Sequence, residues 1–234
     1  MNNKGYYALT KSYSYYFRVK DPISALTHFI GFIAAIMGMP LLLLYASQKR
    51  FDICALASLS IFMLSMIFLY GASTAYHAFN ISEHVNLILK KIDHMMIFVL
   101  LAGSYTPVCV IALANSVGIK LLMGVWSMAI LGILFKAFWV TCPKWVSSII
   151  YIGMGWFCLF AIKDIYYGLS ASAFCWLLAG GIVYTIGGVI YALKLPIFQK
   201  YFRNFGAHEL FHIFVMGGSF CHYIAMFVCV SHYS

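Results

Sequence analysis

His208 and His212 stand four residues apart, so on a helix both imidazoles project from one face. Ser73 and His77 repeat that spacing. Two histidines at i and i+4, joined by His77 from a second helix, make a three-nitrogen zinc set with an open fourth position. Water in such a position is acidified toward a pKa of about 7. Asp93 and Ser73 are placed to hydrogen-bond that water or the ligand rings from behind. The chemistry this points to is hydrolysis assisted by Zn2+, with Asp93 and Ser73 as the catalytic candidates and His77, His208 and His212 as the metal ligands.

The run His208-Glu209-Leu210-Phe211-His212 also matches H-E-x-x-H, the zinc-protease helix in which the glutamate is the base. A gluzincin would supply a glutamate ligand further along, and none follows Glu209. The third histidine and glycine of a metzincin are missing as well. The match therefore supports metal binding more than proteolysis. Blander readings stand beside these. His84, His94, His222 and His232 suit ordinary interfacial or packing positions, and Asp93 could sit in a solvated charge cluster with Lys90 or Lys91.

The elements that must hold these residues are membrane helices. Of the 234 residues 64% are hydrophobic and 9% charged, against about 45–50% and about 25% in soluble domains. A globular core of this size cannot hide so much apolar surface, so the solvent must be lipid. Seven spans are expected: Ile23 to Ala46, Ile53 to His77, Ile92 to Leu113, Val117 to Trp139, Trp145 to Ile162, Ser172 to Leu193, and His208 to Val230. The fold class is thus all-α, a polytopic seven-helix bundle with short loops and antiparallel neighbours. Residues 1–22 read as a retained surface tail, with no uninterrupted apolar stretch of the signal-peptide kind, and 23–234 as the membrane domain.

The fifteen Lys and Arg outnumber the six Asp and Glu. They fall in short loops, which speaks for lipid headgroups and topology and against nucleic acid as the partner. With the N-terminus inside, eleven lie on the inner side and four, Lys49, Arg50, Lys120 and Lys163, on the outer. A cytoplasmic N-terminus and an outer C-terminus follow. Lys136 is expected to snorkel to the inner surface. In this frame His28, Ser73, His77, Asp93, His94, His208, Glu209 and His212 share the inner leaflet's depth, whereas His222 lies roughly 20 Å along its helix from His208. An Asp at a helix centre costs about 2.5–3.5 kcal/mol by insertion scales, which makes an ionisable residue within a span a functional candidate. Gly180, Gly181, Gly187, Gly188, Gly217 and Gly218 read as packing positions for the last two helices. The seven cysteines form no C-x-x-C pair and read as small packing residues.

Ser24-Ala-Leu-Thr-His28, Ser73-Thr-Ala-Tyr-His77, Asp93 with Gly103-Ser-Tyr-Thr-Pro107, and His208-Glu-Leu-Phe-His212 occur in order. In these motifs, and along the chain from about Asp21 onward, the sequence resembles the hemolysin III family, the bacterial branch of the progestin and adipoQ receptor superfamily. The resemblance implies a seven-helix bundle in the bacterial plasma membrane with its N-terminus inside. It implies zinc held by His77, His208 and His212, with Ser73, Asp93 and His28 at the family's serine, aspartate and first-helix histidine positions. Where the family often has Glu and Asn-Ser before that histidine, this chain has Asp21 and Ser24-Ala25.

Three functions follow as expectations. The first is a zinc-dependent hydrolase of a lipid amide or ester (ceramidase-like, as eukaryotic relatives imply) serving membrane lipid and fluidity homeostasis. The second is a non-enzymatic sensor, receptor or channel with structural zinc. The third is a pore-forming cytolysin, for which no secreted or amphipathic inserting segment is evident.

Overall fold

The computed structural model describes residues 19–193 and 205–232, so all but the last residues of the expected 1–22 tail lie outside the described residues. Seven helices long and apolar enough to cross a membrane make up the described chain: α1 (Pro22–Gln48), α2 (Ile53–Ala78), α3 (Glu83–Ala112), α4 (Ser116–Phe138), α5 (Lys144–Gly168), α6 (Ala171–Leu193) and α7 (Ala207–His232). The all-α, seven-span expectation holds.

Local chemistry explains the boundaries. Pro22 opens α1, where a missing N–H costs nothing. Asp52, Ser82 and Asn115 cap α2, α3 and α4 by accepting backbone N–H groups. The Ser82 cap starts α3 nine residues before the expected Ile92. Hydropathy missed this because the added turns carry Glu83, Lys90 and Lys91. Asp93 is therefore an interior helical residue rather than a terminal one. After Pro107, α3 widens into a π turn over Val108–Ala112. The fifth span also runs past its expected end at Ile162. It crosses a 3₁₀ stretch, Trp156–Ala161, and continues through Lys163 and Asp164 to Gly168.

Helices α1, α2, α3, α5, α6 and α7 neighbour one another in a ring that closes where α7 meets α1, and α4 packs on the outside against α3. The pair α6 and α7 is the most intimate. A Cβ on Gly218 would meet the Tyr184 ring at 2.7 Å, one on Gly187 would meet Phe214 Cβ at 2.6 Å, and one on Gly180 would run into His222. Gly181 departs from the packing expectation: nothing lies within 4 Å of its Cβ position, and it borders a cavity instead.

Lys136 also departs from expectation. It does not snorkel; it is 0% exposed. The turn after α4 brings Cys142, and the first turn of α5 brings Ser147, over it, and both take hydrogen bonds from its Nζ. Acceptors supplied from inside the protein replace the headgroup region as the amine's partner.

Candidate metal centre and its two cavities

The segment leading into α1 runs beside the end of α2, with Asp21 N–H donating to the His77 carbonyl at 2.9 Å. This fixes Asp21 so that its Oδ2 lies 2.9 Å from His77 Nδ1. A carboxylate there holds the proton on Nδ1 and leaves Nε2 with its lone pair outward. His212 is set the same way, its Nδ1 donating to the Ser24 carbonyl at 3.3 Å. His77 Nε2 and His208 Nε2 are 3.2 Å apart. One ligand atom from each of His77, His208 and His212 lies within 4.8 Å of the others. Two nitrogens held about 2.0–2.1 Å from a tetrahedral ion lie roughly 3.3 Å apart. The donor set therefore suits a tetrahedral metal, and two of its rings already carry the hydrogen-bond partners that metal-ligating histidines use.

The other named residues gather around this set. His28 stacks on His212 with ring centroids 3.6 Å apart, and neither of its ring nitrogens has a hydrogen-bond partner. Asp93 is 7% exposed, with Oδ2 3.1 Å from His94 Nδ1. That nitrogen also lies 2.9 Å from the Lys90 carbonyl, so Asp93 shares it; no lysine ammonium pairs with Asp93 among the described residues, and its setting is buried, not solvated. Ser73 is fully buried and its Oγ has no hydrogen-bond partner. Ser73, Asp93, His28, His208 and His212 all line one cavity of about 30 Å³, room for one or two waters.

Glu209 is turned elsewhere. Its Oε2 accepts from Gly206 N–H at 2.8 Å, the glutamate half of a capping box at the start of α7, and its Oε1 accepts from Ser24 Oγ at 2.9 Å. Ser24, part of the departure from the family motif, thus ties α1 to α7.

Two lysines flank the cluster. Lys20 Nζ lies 3.4 Å above the Tyr76 ring, beside His77, and Lys144 Nζ lies 4.3 Å from the centre of the Tyr191 ring, which borders the small cavity. Burial pulls the Lys20 ammonium below its ordinary value, and the Asp21 carboxylate acts against that.

A second, larger cavity of about 130 Å³ adjoins the first. Leu69, Ile97, Tyr151, Phe211 and Val215 border both. Its wall is mostly apolar and is drawn from α2, α3, α5, α6 and α7. His222 lines this larger space, away from the other histidines, as its depth on the helix predicts.

A family profile described as Haemolysin-III related matches residues 16–223. The chain belongs to the haemolysin-III family. It is 38% identical over 220 residues to the Hemolysin-3 homolog of Bacillus subtilis (strain 168), covering 93% of this chain and 96% of that one. It is 37% identical over 217 residues to Hemolysin-3 of Bacillus cereus, covering 92% of each. A more distant relative, 27% identical over 191 residues, is progestin and adipoQ receptor-like protein 1 of Caenorhabditis elegans, with 70% of this chain and 41% of that one covered. This haemolysin-III protein is accordingly a multi-pass protein of the bacterial cell membrane.

Sequence reasoning passed over the parts that Asp21, Tyr151 and Tyr191 play here. Asp21 had a signal: it is an acid at the position where the family motif carries one. Tyr151 and Tyr191 had none, because an aromatic residue in a membrane helix is unremarkable until its neighbours are known.

Proposed function

We propose that the protein is a zinc-dependent hydrolase of a lipid amide or ester that serves membrane lipid homeostasis. We also place its N-terminus and the histidine cluster on the cytoplasmic side. The observation that carries the reading is the adjacency of the two cavities. Asp93, Ser73 and two of the metal-ligand candidates border a space for a water, and that space adjoins a larger, mostly apolar one in which an acyl group would lie.

Zinc held by His77, His208 and His212 would supply Lewis-acid activation of water and of a carbonyl. The chain's own residues do the rest. Asp21 and the Ser24 carbonyl hold the His77 and His212 rings in the tautomer that offers Nε2. Asp93, buried and oriented by His94, accepts the proton of the attacking water. Ser73 Oγ, on the same small cavity as Asp93, is placed to hydrogen-bond that water or the scissile carbonyl. Leu69, Ile97, Phe211 and Val215 keep bulk water from the acyl side.

The capping role of Glu209 argues against a protease of the H-E-x-x-H kind, because its carboxylate is already committed to Gly206 and Ser24. The test compares Asp93→Asn with Glu209→Gln in cells lacking the native protein, with zinc content and whole-cell lipid composition as readouts. Asp93→Asn should keep zinc and reproduce the lipid profile of the deletion strain, while Glu209→Gln should keep both zinc and the native profile. The reverse pattern favours protease-like chemistry. No lipid change in either variant favours a structural zinc in a sensor, receptor or channel.

A further inference from the structure

Lys136, Cys142 and Ser147 form a second cluster of reactive groups that the hydrolase reading leaves unused. Lys136 is the lysine fully removed from solvent among the described residues. Its Nζ lies 3.1 Å from Cys142 Sγ and 2.6 Å from Ser147 Oγ, and Sγ and Oγ are 3.3 Å apart. No carboxylate lies within salt-bridge distance of this nitrogen among the described residues. A buried amine is ordinarily held by an acid; here a thiol and a hydroxyl hold it. The thiol is free. Its chain neighbours Thr141 and Pro143 are exposed, so the cluster lies just beneath the surface, within reach of a small oxidant.

We propose that Lys136 and Cys142 form an oxidant-dependent covalent link in which one oxygen atom bridges nitrogen and sulfur. Sulfur and nitrogen sit at the separation such a bridge starts from, with one oxygen's width between them. With hydrogen peroxide as oxidant the reaction balances. The amine gives up one hydrogen, the thiol gives up its hydrogen, and N–O and O–S bonds form. Two peroxide molecules are consumed and three waters leave. Nitrogen and sulfur each lose two electrons, and the two peroxide O–O bonds take up those four. A thiol reductant with four electrons to give reverses the step and restores amine and thiol. Ser147 Oγ, within hydrogen-bond distance of both atoms, positions them and offers the departing oxygen a hydrogen bond. The link would pin the end of α4 to the turn that enters α5, the helix whose Tyr151 borders both cavities.

The test uses the full-length protein purified in detergent micelles under reducing conditions, then treated with hydrogen peroxide and mapped by peptide mass spectrometry. The peptide carrying both residues should gain about 14 Da, one oxygen added and two hydrogens lost, whereas oxidation of sulfur alone adds about 16 Da per oxygen. Trypsin should no longer cut after Lys136, and dithiothreitol should restore both the mass and the cleavage. Lys136→Arg and Cys142→Ser should each abolish the gain. The wild-type map alone decides the matter, whether or not the variants fold. Gain of whole oxygens on Cys142 with Lys136 still cleaved overturns the proposal, as does a Cys142 left unmodified.

Discussion

Two of the places where the bundle buries ionisable groups, the histidine cluster and the surroundings of Lys136, are built on opposite terms. Around His77, His208 and His212 the hydrogen bonding is incomplete. His28 has two unpartnered ring nitrogens, and Ser73 Oγ and His208 Nδ1 are buried without partners. A cavity separates them. At Lys136 the three groups match one another, Nζ to Sγ and Oγ, and Sγ to Oγ. Orphaned buried polar atoms cost about 1–3 kcal/mol each, so a site that keeps several is built for something it binds. A cluster that satisfies itself needs no ligand; its chemistry lies between its own members.

The sharpest way to break this comparison is to remove the ligands. His77→Ala, His208→Ala and His212→Ala should each lower zinc from one per chain to a small fraction, read by elemental analysis of purified protein. Stoichiometric zinc in all three would sink the site. Next in size is Asp21→Asn. It removes the carboxylate behind His77 and should weaken zinc affinity about 10–100-fold in a chelator competition. An unchanged affinity would mean that the Asp21 contact orients nothing.

On the other side of the comparison, Ser147→Ala should destabilise the fold by about 1–3 kcal/mol, because Lys136 loses an acceptor in a buried setting. Thermal unfolding in detergent measures it, and zinc content should not move. The smallest effect on stability is expected at Gly181, the second of two adjacent glycines in α6. Gly181→Leu places its side chain in open space beside the large cavity, so stability should hold while the lipid profile shifts toward that of the deletion strain. Gly180→Ala should instead cost about 1–3 kcal/mol, because its methyl group runs into the His222 ring. Equal stability in the two variants would show that the α6–α7 contact is looser than described.

Much of this was legible in the residues. Apolar length gave the seven spans, since lipid tolerates only helices or closed barrels across its core. The i, i+4 pairs brought His208 with His212 and Ser73 with His77, since helical periodicity is a local property. Span starts were less legible where charged turns extend a helix beyond the apolar stretch, as Ser82 does for α3. The behaviour of Lys136 was hidden altogether. Whether a long amine bends outward to headgroups or inward to a thiol depends on where residues six and eleven positions later fold back.

The sequence by itself determined the class of protein, the number of crossings and which histidines can share a helix face, because composition and periodicity act within one segment. Only the tertiary structure decided that Asp21 backs His77, that Glu209 caps a helix instead of facing the histidine cluster, and that a small cavity bordered by Asp93, Ser73 and histidines opens beside a larger apolar one. Each of these depends on the lateral placement and rotation of one helix against another. In lipid that is set by close packing at glycines and by a few buried hydrogen bonds, not by the hydrophobicity that all seven helices share.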